Sequence, residues 1–129
     1  MKKRILIIDS HPVYILKLEM FLKGSSDHEV VLARTAMEGM VLVISAKPDL
    51  VILSATLADG SGGEVCRYIR DKGLPVKIVV LIGLFTAQEE VDQLITQGAD
   101  DVLIRKERDF VPLQNAIDKL SGLASGGNR

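Results

Sequence analysis

The sequence predicts an α/β domain built on a parallel sheet with helices on both faces. One observation is that short uninterrupted apolar runs, such as Ile5-Leu6-Ile7-Ile8 and Leu50-Val51-Ile52-Leu53, alternate with stretches whose apolar residues recur at helical spacing. A strand apolar at consecutive positions is buried on both faces, as strands are in a sheet covered by crossover helices. The other is punctuation: Thr35-Ala36-Met37-Glu38, Ser61-Gly62-Gly63-Glu64 and Thr86-Ala87-Gln88-Glu89 each have the form S/T-x-x-E. In that capping box a hydroxyl and a carboxylate satisfy free amides where a helix starts. Five strands alternating with five helices through short loops imply right-handed crossovers and a single sheet.

Arg4 to Asp9 is the first strand, an apolar run ending in an acid. Ser10 is positioned to cap the next helix, and Pro12 suits a first turn whose amide has no partner anyway. Tyr14, Leu18, Phe21 and Leu22 fall at i, i+4, i+7 and i+8 and define its buried stripe. Val13, Ile15, Leu16 and Met20 lie outside that stripe, more apolar surface than one buried face requires; a contiguous patch there would mark a partner surface. Gly24 to His28 reads as a turn and Glu29 to Arg34 as the second strand. Met37, Met40, Val41 and Ile44 follow at helical spacing, and Lys47-Pro48 ends that helix.

Leu50 to Leu53 forms the third strand, which opens into a polar loop from Ser54 to Gly62. The helix started by the Ser61 box carries Val65, Tyr68 and Ile69 on one face and ends near Lys72-Gly73. Lys77 to Ile82 is the fourth strand. Ala87, Val91, Leu94, Ile95 and Gly98 mark the inward side of the fourth helix, and Asp101 to Arg105 supplies the fifth strand. Leu113, Ala116, Ile117 and Leu120 make the last stripe. Beyond it the Ser and Gly content reads as a flexible tail or linker start, giving one domain over 1–121 and a tail over 122–129.

A chain of 129 residues has the length of one ordinary domain. Its 47% hydrophobic and 26% charged residues are those of a soluble globular protein, and with no Trp the core must be aliphatic. A net charge of −1 gives no electrostatic footprint for nucleic acid, and Lys2-Lys3-Arg4 is too short for a basic patch. Cys66 is the lone cysteine, which excludes an internal disulfide and a cysteine-based zinc site and fits a reducing cytoplasm. Asp9 interrupts the only leader-like start after four apolar residues, and no run approaches the length of a membrane span.

The runs ILIIDSHP near the start, PDLVILSATLADGSG in the middle and GADDVLIRK near the end together resemble the receiver domain of bacterial two-component response regulators. The resemblance spans nearly the whole chain. It implies a flavodoxin-like sheet of order 2-1-3-4-5, a signalling function without enzymatic activity, and partners among kinases, output domains or other signalling proteins. In that family the first strand ends in a pair of acids, the third in an aspartate that accepts a phosphoryl group, the fourth in Ser or Thr, and the fifth in lysine. The pair is here Asp9-Ser10, the acceptor position is Ser54, the hydroxyl position falls at Ile82 or Gly83, and the lysine position at Arg105, followed by Lys106. Val102 stands where an aromatic is usual.

These departures make the phosphorylation site degenerate. Phosphoryl transfer needs a nucleophile in line and a divalent cation over the equatorial oxygens. Asp9 is the one carboxylate left to hold magnesium, so magnesium binding is expected to be lost or weak. Ser54 cannot form an acyl phosphate, and no base is evident to activate its hydroxyl. Asp49 lies at the opposite end of the third strand, about 16 Å from Ser54 at ~3.3 Å per residue, and Asp59 reads as a solvated turn residue. A partly buried Asp9 without its metal needs a partner, and Arg105 or Lys106 is expected to supply it.

The expected function is therefore a phosphorylation-independent, protein-binding signalling module. A phosphorelay receiver using an unconventional acceptor and a small flavodoxin-like ligand binder are the alternatives. His11 and Cys66 read as structural. A homodimer is compatible with the mixed charges of Gln88, Glu89, Asp92 and Gln93 against Arg105, Lys106 and Arg108 on the face formed by the fourth helix, fifth strand and fifth helix, where receivers commonly pair.

Overall fold

The computed structural model describes residues 3–25 and 28–121; the tail expected over 122–129 lies outside them. The elements run β1 (Arg4–Ile8), α1 (Pro12–Ser25), β2 (Glu29–Ala33), α2 (Ala36–Ser45), β3 (Leu50–Ser54), β4 (Thr56–Leu57), β5 (Gly60–Ser61), α3 (Gly62–Asp71), β6 (Lys77–Ile82), α4 (Gln88–Gln97), β7 (Asp101–Ile104) and α5 (Val111–Ser121). Five strands form one parallel sheet in the order β2-β1-β3-β6-β7. Numbered within the sheet, that is 2-1-3-4-5, the flavodoxin-like order. The stretch expected as a plain polar loop after β3 instead holds a small antiparallel pair, β4 with β5.

Consecutive apolar residues on the central strands serve two cores. Leu6 and Ile8 of β1 join Val51 and Leu53 of β3 against α2, α3 and α4, whereas Ile5, Ile7, Leu50 and Ile52 face α1 and α5. Every residue of β3 is buried. Burying each such Leu, Ile or Val favours the fold by roughly 1.5–3 kcal/mol, so these runs are worth more than any single polar contact. Among the described residues no helix is long and apolar enough to cross a membrane.

Several local expectations are corrected. Ser10 does not cap α1: its hydroxyl donates to the Arg34 carbonyl at 2.6 Å and accepts from the Ala58 amide at 3.0 Å. The acceptor at that helix start is His11, whose Nδ1 takes the Tyr14 amide at 3.2 Å. Ile15, assigned outside the α1 stripe, is fully buried, while Val13, Leu16 and Met20 are exposed as expected. The helix also continues through Gly24, where a turn was expected. The third capping box is displaced by one residue: the Glu90 carboxylate accepts the Ala87 amide, and the Thr86 hydroxyl turns back to the Gly83 carbonyl. With that shift Ala87 and Ile95 are exposed, and Leu94 is the residue of α4 that is fully inserted. The Ser61 box forms with both reciprocal bonds, and the Thr35 box forms in part, Thr35 capping Glu38 while Glu38 accepts from Arg34.

Candidate functional site

In a parallel sheet all carboxyl ends open on the same edge, and there the chain gathers the residues singled out from sequence. Asp9 follows β1, Ser54 ends β3, Ile82 ends β6 with Gly83 just beyond it, and Arg105 follows β7. Backbone bonds fix their register: the Asp9 amide donates to Ala33, Ala55 to Leu81, and Arg105 to Ile82. Gly62 lets α3 start against this edge, since a Cβ there would lie 2.6 Å from the Ser54 carbonyl oxygen.

The centre of the site is one guanidinium. Arg105 Nη2 donates to Asp9 Oδ2 at 2.8 Å and to Ser54 Oγ at 2.8 Å. The same group lies 4.7 Å from the centroid of the Tyr14 ring, a cation over an aromatic face that further favours the charged side chain there. The partner expected for Asp9 is thus Arg105, while Lys106 is exposed. Asp9 itself is 2% exposed, and its other oxygen accepts the His11 amide at 2.8 Å. Burial raises its carboxyl above the ordinary aspartate value; the His11 amide and the Arg105 charge pull it back without cancelling that rise. Burial likewise pushes the Tyr14 hydroxyl up to about 12, so it stays protonated beside Arg105.

Ser54 is held in a closed set of bonds. Its hydroxyl proton is donated to the Thr56 carbonyl at 2.9 Å while its oxygen receives Arg105. No carboxylate or imidazole in these bonds takes the proton, as activation of a nucleophile requires. Ile82 is buried and Gly83 exposed, and neither brings a side-chain donor. The nearby hydroxyl is that of Thr86, turned onto the Gly83 carbonyl at 2.8 Å. These residues line a cavity of about 730 Å³ that extends to Gln93 and Gln97 of α4.

The donor set does not fit a divalent cation. Asp9 has both oxygens engaged, one by a guanidinium that occupies the position of a positive charge, and Ser10 and Ser54 offer hydroxyls already bonded elsewhere. Among the described residues no three His, Cys, Asp or Glu side chains converge to hold a metal.

Asp49 lies at the amino end of the sheet, accepting the Arg4 amide at 2.8 Å. Asp59 corrects the expectation of a merely solvated turn. Its two oxygens accept the Ala36 and Met37 amides at 2.6 and 3.1 Å, capping α2 from across the loop, and those bonds lower its carboxyl below the ordinary value. No local signal announces this contact, because it spans 23 residues. Tyr14 was legible as core, but its place under Arg105 was not. Cys66 is fully buried and its thiol is raised to about 11, chiefly by desolvation, in keeping with a structural role.

Comparison with known proteins agrees with this geometry. The family model described as "Response regulator receiver domain" matches residues 5–118. A nitrate/nitrite response regulator protein homolog of Haemophilus influenzae is 27% identical over 105 residues, covering 81% of this chain and 50% of that protein. The DNA-binding response regulator MtrA of Mycolicibacterium smegmatis is 30% identical over 106 residues, covering 81% and 45%. The chain thus spans about half the length of these curated relatives. Among solved structures, a two-component response regulator from Clostridium difficile superposes with a TM-score of 0.84 at 28% identity, covering 93% of this chain and 96% of that one. A CheY-like receiver domain protein from Methanospirillum hungatei gives 0.84 at 23% identity, covering 98% and 100%, a likeness of fold. By its sheet order and the match of the family model over nearly its full length, this chain belongs to the response regulator receiver domain family.

Proposed function

We propose that this is a degenerate receiver, a pseudo-receiver that signals by binding proteins and does not depend on phosphorylation. It is not an enzyme, works in the bacterial cytoplasm, and takes as partners a kinase, an output domain or another signalling protein rather than nucleic acid. The observation that carries the reading is the Arg105 bridge to Asp9 and Ser54, which fills with a fixed positive charge the ground where a cation would neutralise an incoming phosphoryl group. Ser54, the residue at the acceptor position, gives its proton to a backbone carbonyl.

The test is incubation with acetyl phosphate and magnesium, read by intact mass. No phosphoryl adduct is expected, and the spectrum of backbone amides is expected to be unchanged by beryllofluoride. A stoichiometric adduct on the native chain would instead establish a phosphorelay receiver with an unconventional acceptor. Ser10→Asp combined with Ser54→Asp is expected to restore some phosphorylation, since the scaffold is that of a working receiver.

A second reading has one observation in its favour: the cavity of about 730 Å³ over Arg105 has the volume of a small-ligand site. Native mass spectrometry of the purified chain distinguishes it, a retained small molecule supporting a ligand binder and its absence supporting the protein-binding module.

A further inference from the structure

α2 departs from the usual division of a surface helix into a buried face and a wet one. Ala36, Gly39 and Val43 point inward, yet Met37, Val41 and Ile44 stand 67%, 57% and 43% exposed at i, i+4 and i+7. Glu38 is the one charged residue of the helix. A helix apolar all round is ordinarily covered, and contiguous exposed apolar surface marks an interface. The patch continues past the helix. Ile44 and Pro48 run into a groove of about 430 Å³, bounded across from them by Leu74, Pro75 and Val76.

We propose that a second copy of this chain covers this face, α2 packing against α2 in an antiparallel, two-fold symmetric pair centred on Val41. A two-fold contact requires each projection on a surface to meet a recess on that same surface. α2 has both: Met37 projects at its N-terminal end and the groove lies at its C-terminal end, about 10 Å away at 1.5 Å rise per residue. Rotation about Val41 carries Met37 of each copy to the groove of the other, and the flexible thioether side chain suits an irregular apolar recess. The centre of the patch is uncharged, so the symmetry opposes no like charges there. At the ends the rotation sets Glu38 of each copy level with Ile44 of the other, about 4.5 Å along the axis from exposed Lys47 and within reach of its long side chain, and the antiparallel arrangement aligns the helix dipoles favourably. This pairing uses none of Asp9, Ser54 and Arg105, so it stands apart from the reading of the carboxyl edge.

The experiment is sedimentation equilibrium of the full chain over a wide concentration series. A monomer–dimer equilibrium is expected. Val41→Glu sets two carboxylates against each other on the axis and should raise the dissociation constant about a hundredfold. Because residue 41 is exposed, its thermal unfolding should stay native-like. Glu38→Lys should weaken the dimer, and adding Lys47→Glu to it should restore the affinity by reversing the pair. Ile95→Glu, on the exposed side of α4, should leave the constant unchanged. A chain that is monomeric throughout, or a dimer insensitive to Val41→Glu, overturns the proposal. So does one lost in Ile95→Glu, which would put the interface on the α4 face.

Discussion

The two edges of the sheet are each organised by an arginine, and the two arginines are treated differently. At the amino edge Arg70 makes five hydrogen bonds: two to the Gly98 carbonyl, one each to Leu74 and Val76, and one to Asp100 at 2.9 Å. Asp100 in turn accepts the Ile78 amide with the same oxygen. Arg70 thereby ties the end of α3 and the end of α4 to the start of β6. At the carboxyl edge Arg105 spends one nitrogen on Asp9 and Ser54 and turns the rest of its guanidinium toward a cavity. A saturated cation is a structural staple. A cation with donors to spare beside a cavity is where binding chemistry can be added or removed at little cost to the fold.

Arg70→Met is the strongest way to break this contrast. It keeps the aliphatic stem but leaves several partly buried carbonyls unpaired, and should cost about 2–4 kcal/mol in urea unfolding. Gly98→Ala tests the same edge through the backbone. Gly98 has φ of 124°, and a Cβ there would lie 2.5 Å from Arg70 Cγ, so a loss of about 2 kcal/mol is expected. Asp9→Asn should cost about 1 kcal/mol or less. The amide still accepts from His11, and Arg105 keeps access to water in the cavity. A cost for Asp9→Asn larger than that for Arg70→Met would show that the carboxyl edge is the structural one.

The smallest effect concerns protons, and its sign differs between two aspartates near the carboxyl edge. Asp9 is raised in the folded chain, so its contribution is fully present below the unfolded value of 3.8 and is lost as pH rises through its folded value. Asp59 is lowered, so its contribution is present above 3.8 and is lost as pH falls through its folded value. Carboxyl carbon shifts followed by NMR should therefore show Asp59 titrating first from the acid side and Asp9 last. Coincident titrations would remove burial as the feature that separates them.

Much of the fold was legible because strand burial is written in consecutive apolar residues. Ile5 to Ile8, Leu50 to Leu53 and Lys77 to Ile82 need no partner to be recognised as strands, and alternating them with helices leaves few arrangements. The Ser61 box could be read because both of its bonds are local. The Thr86 box could not, because Thr86 turns back onto Gly83 and the N-cap falls one residue later at Ala87, with Glu90 as the carboxylate that accepts its amide. The stripe at Met37, Val41 and Ile44 had the right period for burial but faces solvent, since period reports that a helix has sides and not which side meets the sheet.

By itself, then, the sequence determined the alternation of strands and helices, the carboxylate left at Asp9 and the hydroxyl standing at position 54. Tertiary structure decided which arginine contact closes over them, that Tyr14 lies beneath it, that Asp59 caps a helix 23 residues away, and that α2 keeps an apolar face outward. The reason is range. Periodicity, capping and strand burial are set within a few residues, whereas the Arg105 bridge joins residues 96 and 51 positions apart, and only the packed sheet brings their ends together.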